Sequence, residues 1–479
     1  MAELPEFPDS LDWINLNRRP SVADFRGKAL LLYFWTAGNQ YCHRLLREIR
    51  KLENQFEEQL YVIGIHGPRY PCEQQPEIMR KVVNQYHIRH FIANDLHYAY
   101  WKLLGAEAWP TLVVVDPEGW IRGARVGINW QQDIARFLDG LLEQAAMEDR
   151  LVYETRYPDK FAEPDTVLRF PTDVIQVGKH LYITDTGNNR VLETGLDGNV
   201  QRQFGSGNPG HWDGTNQDVG FNSPECLARL GEHIYVSDTH NHSIRRINVL
   251  NGEVDTIAGM GKWGQMDAIR YDNPRNVCLN YPTGLAARDS TLYISMTGQN
   301  QIWALDLNEN VLSLVAGSGM VGRLDGEPLE ATFYSPRQLT LVDETLLVSD
   351  SENCLIRSIH LLKKKVNTLC GTEPGQKTGA FSEAALRYPQ GMAYDAENEL
   401  LWLADSANQN LKCLEMPEHH VDIPPGQPGW LCPRGLSVYE GTLWATDSFS
   451  HTLVRMDMFG GPAEVFQVKA MPELADDYL

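Results

Sequence analysis

The first group in this sequence that could do chemistry is the thiol of Cys42, near the junction of an apolar segment and a predicted helix. A cysteine at the N-terminus of a helix can be held as the reactive thiolate by the helix dipole and the free N–H groups. That position holds Asn39, which cannot form a thiolate, and Cys42 comes one turn later. We therefore expect Cys42 to pack as a small apolar residue. A one-cysteine activity, or pairing with Cys72, stays open.

Two arginines, Arg337 and Arg434, occupy equivalent places in a segment that repeats along the last two-thirds of the chain. Each directly follows a proline that recurs in every repeat. The corresponding residues of the other repeats are Thr172, Glu225, Thr283 and Gln390. A guanidinium group offers two parallel hydrogen bonds to a carboxylate or phosphate, so the pair is predicted to bind a small anion. The alternative is that each arginine pairs with a local acid, such as Glu225 or Asp173, and joins neighbouring repeats.

Other groups with metal or cofactor potential have simpler interpretations. His240 and His242 could form half of a metal site, but the spacing supplies no third ligand. The pattern Gly-x-Gly-x-x-Gly begins at Gly205, Gly259 and Gly317, but no helix follows it, as a dinucleotide site requires, so we interpret it as flexible loop tips. No serine nucleophile elbow, His-Glu-x-x-His or phosphate loop occurs. No metal or cofactor site is therefore predicted. A hydrolase or lyase on the propeller is the least favoured of three hypotheses about function, and the other two are given below.

Charge limits the partners of the protein. The chain of 479 residues has 42 Lys and Arg against 63 Asp and Glu, and −18 of its net charge of −21 falls in residues 151–479. Nucleic acids and anionic membranes attract basic surfaces, so neither is an expected partner. Residues 1–17 contain no basic residue and no long apolar run, which argues against a signal peptide or anchor. No two of the eight cysteines are separated by two residues. A cytoplasmic protein with reduced thiols is expected.

The elements around Cys42 follow an order typical of the thioredoxin fold. Residues 1–28 are predicted to be an extended lead-in. The predicted strands and helices that follow, in chain order, are the strand 29–35, the helix 41–56, the strand 61–66, the helices 76–87 and 95–104, the strands 111–116 and 121–126, and the helix 131–149. Pro110 follows Trp109 directly before a buried strand, where thioredoxin-like proteins place a cis-proline that faces the active site.

The repeated segment is predicted to form a β-propeller. A stretch like Leu181–Asp185, reading Leu-Tyr-Ile-Thr-Asp, occurs six times at intervals of 42 to 58 residues, and each copy fits four short strands. The aspartate is followed three residues later by asparagine in four units, which indicates a structural turn. Met296 replaces the aspartate in the third unit, so a different turn is expected there. Antiparallel strands place the turn after the second strand and the connection after the fourth at one end of the propeller, the predicted binding face.

The whole chain resembles the NHL repeat-containing protein 2 family, in which a thioredoxin-like domain is joined to a six-bladed NHL propeller. The resemblance depends on Trp35, on Trp109 and Pro110, and on the repeated Asp-x-x-Asn stretches. It implies a thioredoxin-like domain at 1–150, a linker at 151–168, a propeller at 169–470 and a tail at 471–479. Longer family members carry a Cys-x-x-Cys motif and a further C-terminal β domain. Asn39 stands in place of the first of these cysteines.

Two classes of function are compatible with the sequence. The first is a binding or scaffold protein, in which the loop face of the propeller takes a protein or a small anion. The thioredoxin-like domain, without its first cysteine, would then be a second contact surface. The second class is a thiol-disulfide oxidoreductase or one-cysteine redox protein that acts through Cys42, with Asn39 and Pro110 in the matching site. The loss of the first cysteine favours the binding protein.

Overall fold

The computed structural model describes residues 2–127, 131–154, 156–162, 165–458 and 461–470. The chain divides into two compact units, Met1–Pro164 and Asp165–Leu479. The first unit has the predicted thioredoxin-like fold and the second is the predicted six-bladed β-propeller. The predicted C-terminal tail, 471–479, and residues 155, 163 and 164 of the predicted linker lie outside the described residues.

The first unit is built on one mixed sheet with the strand order β1-β4-β3-β2-β5-β6. Its strands are β1 (Asp12–Trp13), β2 (Ala29–Trp35), β3 (Leu60–His66), β4 (Phe91–Asn94), β5 (Thr111–Val115) and β6 (Ile121–Val126). Its helices are α1 (Gln40–Phe56), α2 (Pro76–Gln85), α3 (Ala99–Leu103) and α4 (Gln131–Met147). β2 and β3 pair in parallel and are buried along their whole length, as their continuous apolar runs predict.

The predicted element order of the first unit omitted two strands. β4 pairs in parallel with β3, and β1 pairs antiparallel with β4 at the edge of the sheet. The segment 1–28, which was predicted to be an extended lead-in, therefore also contributes the edge strand β1 to the sheet. Its side chains Phe7 and Phe25 lie in the hydrophobic core, where their rings meet edge to face at 5.9 Å.

Two further boundaries differ from the prediction for a physical reason. The helix predicted from Asp95 begins at Ala99, because the Asp95 carboxylate accepts hydrogen bonds from the N–H groups of Ala99, Tyr100 and Trp101 and so precedes the helix. The predicted linker also begins as a packed segment. The Val152 N–H donates to the Gly27 carbonyl at 2.8 Å, so this part of the chain lies against the first unit.

The first three blades of the propeller contain the strands β7 to β20. Blade 1 has β7 (Asp173–Val177), β8 (His180–Asp185), β9 (Arg190–Gly195) and β10 (Val200–Phe204). Blade 2 has β11 (Gly214–Thr215), β12 (Pro224–Leu230), β13 (His233–Asp238), β14 (Ser243–Asn248) and β15 (Glu253–Ala258). Blade 3 has β16 (Arg270–Tyr271), β17 (Pro282–Arg288), β18 (Thr291–Met296), β19 (Gln301–Asp306) and β20 (Val311–Ala316).

The other three blades contain the strands β21 to β33. Blade 4 has β21 (Pro336–Val342), β22 (Thr345–Asp350), β23 (Leu355–His360) and β24 (Lys365–Cys370). Blade 5 has β25 (Gly379–Ala380), β26 (Pro389–Asp395), β27 (Leu400–Asp405), β28 (Asn410–Glu415) and β29 (His420–Asp422). Blade 6 has β30 (Pro433–Tyr439), β31 (Thr442–Asp447), β32 (Thr452–Asp457) and β33 (Glu464–Phe466).

Three blades have a fifth strand that the sequence interpretation did not include. β11, β16 and β25 come from the glycine-rich connections and pair with the outermost strand of the following blade. In blade 2 a buried side chain also anchors this connection, because Arg245 donates to the carbonyls of Trp212 and Gly220. Of the three connections interpreted as flexible loop tips, those after Gly205 and Gly259 thus contribute a strand to a blade, and the one after Gly317 is bonded to blade 4 through Gly326 and Val366.

Neighbouring blades are joined by one repeated hydrogen bond, which we call the hydroxyl link. The residue after the aspartate position is Ser or Thr in each blade, and its hydroxyl donates to the carbonyl of the recurring proline in the next blade. The five observed links run from Thr186 to Pro224, Thr239 to Pro282, Thr297 to Pro336, Ser351 to Pro389 and Ser406 to Pro433, at 2.5 to 2.7 Å. In blade 6 the equivalent Ser448 hydroxyl is buried and has no partner among the described residues.

The ring closes between blades 6 and 1 through other contacts. The Phe170 N–H donates to His451 Nδ1 at 3.0 Å, and the Trp444 indole donates to Gln176 Oε1 at 2.6 Å. Lys469, after the last strand, bonds through its backbone to Gly198 and Val200 at the start of the outermost strand of blade 1. The mode of closure, which the sequence did not reveal, thus leaves every blade a single uninterrupted segment.

Candidate functional site

The position that would hold a reactive cysteine in the first unit is filled by a helix cap. Asn39 is the N-cap of α1, and its Oδ1 accepts hydrogen bonds from the N–H groups of Tyr41 and Cys42 at 2.9 and 3.1 Å. Asn39 is 3% exposed and Cys42 is fully buried. The asparagine therefore satisfies the helix N-terminus that would otherwise stabilise a thiolate.

The proline predicted beside this motif has the expected geometry. The Trp109–Pro110 peptide bond is cis, and Pro110 is buried at the start of β5. The Trp109 ring packs against Trp101, with centroids 5.2 Å apart, and against Tyr98 at 6.2 Å. The scaffold of a thioredoxin-like site is thus present.

A buried acid lies beneath the loop that joins β2 to Asn39. Glu73 Oε2 accepts hydrogen bonds from the Thr36 hydroxyl at 3.1 Å and from the Arg69 N–H at 2.6 Å. It lies 3.7 Å from Nε2 of His66, which itself accepts from the Ala37 N–H. Burial raises the pKa of Glu73 to about 7, and burial lowers the pKa of His66 to about 4. Both side chains are therefore neutral over the window between these values.

Replacing Glu73 with glutamine should remove a pH dependence from the stability of the first unit. In the unfolded chain this carboxyl ionises near its ordinary pKa of 4.5 but in the folded unit only near 7, so its contribution to stability is lost as pH rises through that window. The shift corresponds to about 3 kcal/mol above pH 7. His66 has the opposite slope, because its folded pKa is lowered, so the comparison must be between variant and wild type.

The measurement is urea unfolding of the wild type and of Glu73→Gln at pH 5 and pH 8. The variant should gain stability relative to the wild type at the higher pH. The matched control is Glu77→Gln, because Glu77 is exposed in the neighbouring helix α2. An equal difference between Glu73→Gln and wild type at both values would contradict the assignment.

The aspartate organises a turn in five blades, as predicted, and in four of them it also pairs with a cation that the sequence interpretation missed. In blade 4, Asp350 accepts from the Asn353 amide at 2.7 Å and pairs with Arg357 at 3.0 Å, and both charged side chains are fully buried. The cation lies seven residues after the aspartate in blades 2, 4 and 5 and five residues after it in blade 1. The pairs are Asp185 with Arg190, Asp238 with Arg245, Asp350 with Arg357 and Asp405 with Lys412.

Blade 3 shows that the ion pair does not determine the conformation of the turn. Met296 was predicted to have a different turn, and that prediction was wrong: its φ and ψ of −90° and 80° match the −89° and 75° of Asp350. Trp303 occupies the position of the cation, and it lies with Met296 in the same hydrophobic cluster. The turn is thus specified by the backbone ladder, and an apolar pair can replace the ion pair.

The two histidines predicted as half of a metal site are close in sequence but differ in surroundings. His242 is buried in a left-handed conformation, and its Nδ1 accepts from the Tyr281 N–H at 3.4 Å. His240 is partly exposed, with its ring edge toward Tyr281. Among the described residues, no three His, Cys, Asp or Glu side chains are grouped to hold a metal ion.

The innermost strands of the six blades, which are β7, β12, β17, β21, β26 and β30, surround the central channel. The residues after the six recurring prolines form one ring at the mouth of this channel. This mouth ring consists of Thr172, Glu225, Thr283, Arg337, Gln390 and Arg434, and all six line one cavity of about 30 Å³. Both predicted arginines therefore lie where the repeat alignment placed them. Close backbone approach fixes them, because a Cβ on Gly284 or Gly391 would lie within 2 Å of the carbonyl oxygen of Arg337 or Arg434.

The two arginines differ in their partners. Arg337 Nη1 lies 3.3 Å from Glu225 Oε2, so the alternative of a local ion pair describes this arginine. Arg434 donates from Nε to Gln390 Oε1 at 3.1 Å and, in the part of the chain that the structure describes, has no carboxylate partner. Asp173, the other acid considered, accepts from the N–H groups of Leu227 and Val174 instead. The mouth ring thus carries two guanidinium groups and one carboxylate.

A second contact at the inner wall of the channel joins blades 2 and 4, on either side of blade 3. Cys226 Sγ lies 3.2 Å from Gln338 Oε1. These two residues directly follow Glu225 and Arg337 in the chain. Burial raises the pKa of the Cys226 thiol well above its ordinary value, so this thiol is not a nucleophile at neutral pH. The channel mouth is therefore a shallow polar depression rather than an open pore.

The described residues contain no helix that is both long and apolar enough to cross a membrane. Comparison with known proteins then gives the following relationships. A family model described as thioredoxin-like matches residues 27–121. NHL repeat-containing protein 2 of Homo sapiens is 31% identical over 86% of this chain and 62% of its own length. The Bos taurus protein of that name is 28% identical over 97% of this chain and 71% of its own length.

A plant protein is similar over an equal share of the chain. Protein SUPPRESSOR OF QUENCHING 1, chloroplastic, of Arabidopsis thaliana is 29% identical over 86% of this chain and 41% of its own length. The chain thus spans less than two thirds of the human and plant relatives.

Proposed function

Because the chain belongs to the NHL repeat-containing protein 2-like family, with a thioredoxin-like domain joined to a six-bladed NHL propeller, we propose that it is a binding or scaffold protein. This architecture fits a scaffold or a redox-related role. The propeller takes an anion, either free or on a partner protein, at its channel mouth. The thioredoxin-like domain, at 1–150 by the sequence boundaries, is a second contact surface.

The observation that carries this proposal is the state of Arg434. A guanidinium group that is 9% exposed and lacks a carboxylate partner among the described residues is costly, because burial removes water that would otherwise solvate the charge. It lines the cavity of the mouth ring together with Arg337, with blade 5 between the two. In a protein of net charge −21 this is a local positive spot, which favours selective binding of an anion over non-specific attraction.

The alternative of a thiol enzyme acting through Cys42 has weaker support. The Cys42 side chain is fully buried, and a thiolate must reach its substrate to attack it. The N–H group that could stabilise that thiolate already donates to Asn39. The half-buried aromatic residues beside Pro110, which are Trp109, Trp101 and Tyr98, remain available as a contact surface without redox chemistry.

Replacing Arg434 with glutamine should abolish anion binding while leaving the fold intact. Glutamine removes the buried charge but keeps hydrogen-bonding capacity toward Gln390, so the melting temperature should change by no more than about 2 °C. The measurement is isothermal titration of the full chain with inorganic phosphate and with sodium acetate.

The matched control is Arg455→Gln, because Arg455 lies in the same blade and pairs with Glu464 at the surface. The control should bind as the wild type does. Undiminished anion binding by Arg434→Gln would overturn the proposed site, and so would a wild type that binds neither probe.

A further inference from the structure

One arginine of the mouth ring is already paired with a carboxylate of the protein itself, the side chain of Glu225. Glu225 extends from blade 2 across the channel to Arg337 of blade 4, past the Thr283 position of blade 3. The two side chains are 19% and 11% exposed, so the contact is shielded from most of the solvent. The length of 3.3 Å is greater than that of a typical charge-assisted hydrogen bond, 2.7–2.9 Å. The Arg337 guanidinium group also lies over the Tyr388 ring, so Glu225 is one of several groups that hold it.

One carboxylate cannot neutralise two guanidinium groups. With Glu225 on Arg337, the mouth ring keeps one positive charge, that of Arg434, which has a neutral neighbour in Gln390. A carboxylate that reached Arg434 would give this guanidinium group the kind of charged partner that Glu225 gives Arg337.

Size and geometry restrict the anion further. The cavity of about 30 Å³ has room for about two water molecules, so only the tip of a ligand enters it. A planar carboxylate fits the fork of a guanidinium group with two parallel hydrogen bonds. The hydroxyls of the ring are already used: Thr172 donates to the Glu225 carbonyl at 2.9 Å, and Thr283 hydrogen-bonds to Ser295 at 3.0 Å. Recognition thus depends on the two arginines.

We propose that the channel mouth is a carboxylate-binding site and that Glu225 is its internal competitor. This inference rests on the proposed anion-binding function and specifies its ligand class. An incoming carboxylate binds Arg434 and competes with Glu225 for Arg337. The ligand is either a small free carboxylate or the Asp or Glu side chain of a partner, since both present the same group.

The test compares the wild type with Glu225→Gln in the full chain. Removing the competing charge while keeping an amide near Arg337 should increase carboxylate affinity about tenfold, which corresponds to about 1.4 kcal/mol. The probes are sodium acetate, an acetylated and amidated peptide Gly-Gly-Glu-Gly-Gly, and inorganic phosphate, each followed by isothermal titration. Glu232→Gln is the matched control, because Glu232 is an exposed acid in the same blade.

The outcomes separate this inference from the function on which it depends. Tighter binding of acetate in Glu225→Gln supports a free carboxylate as ligand, and tighter binding of the peptide alone supports a partner's side chain. If phosphate binds in an Arg434-dependent way and neither carboxylate probe responds to Glu225→Gln, the inference is wrong and the proposed function stands. If no probe binds either protein, both fail.

A second variant guards against misfolding of the first. Glu225→Thr introduces the residue that blades 1 and 3 have at the same ring position, so the backbone there accepts it. It should raise carboxylate affinity to a similar extent. Wild-type carboxylate affinity in both variants would overturn the assignment of Glu225 as competitor.

Discussion

The Asp350→Met variant should lose about 3 kcal/mol of unfolding free energy, because the buried guanidinium group of Arg357 then keeps only the exposed Asp325 as a carboxylate partner. Both side chains are fully buried, and Asp350 also accepts hydrogen bonds from Asn353 and from the Tyr334 N–H. Each of these donors would lose its acceptor in the variant. The measurement is equilibrium unfolding in urea, followed by tryptophan fluorescence.

Blade 3 supplies the matched control. It has Met296 and Trp303 where blade 4 has Asp350 and Arg357, and its turn is the same. The double variant Asp350→Met with Arg357→Trp should therefore recover most of the lost stability, as expected when a buried ion pair is replaced by an apolar pair of suitable shape. A single variant as stable as the wild type would show that the ion pair has no structural role.

Replacing Asn39 with cysteine should create a disulfide with Cys42 and raise disulfide-reductase activity well above that of the wild type. The new thiol would occupy the N-cap of α1, where N–H groups now directed at Asn39 can stabilise a thiolate. Losing the asparagine cap should cost about 1 kcal/mol. The measurements are thiol counting after mild oxidation and turnover of a small disulfide with a chemical reductant.

The control for this experiment is the double variant Asn39→Cys with Cys42→Ala. It keeps the new thiol but removes the resolving one, so it should form mixed disulfides without turning over. Failure of Asn39→Cys to oxidise would mean that the helix N-terminus is not arranged as a redox motif.

The sequence predicted the elements whose pattern is local. β2 and β6 have the predicted bounds, because each is an extended run between turns. β4 was missed because Phe91–Asn94 has only four residues, too few for periodicity, and it is a strand only because β3 and β1 lie beside it. A short strand of this kind is defined by tertiary contacts rather than by its own sequence.

In the candidate site, too, local sequence pattern predicted some features, and others depend on tertiary contacts. Repeat alignment placed Arg337 and Arg434 on one ring, because equivalent positions of a propeller meet at the axis. The alignment could not decide which of them Glu225 would reach, since that depends on side-chain direction across the channel. The buried cations had a visible signal, a basic residue seven positions after the aspartate in three blades, and it became meaningful only when burial was known.

The hydroxyl link that is missing at Ser448 has a consequence for how the ring assembles and opens. The joint between blades 6 and 1 connects residues as far apart as Phe170 and His451, which are 281 positions apart, so its formation closes a loop almost as long as the propeller. Loop-closure entropy grows with that length, and the other five joints form between segments adjacent in the chain. The joint between blades 6 and 1 thus has the largest loop-closure entropy cost, and among the described residues it also lacks the hydroxyl link that joins the other blades. We expect folding to end there and spontaneous opening to begin there, so that the amides of Phe170 and Val200 exchange with solvent sooner than those between blades 3 and 4.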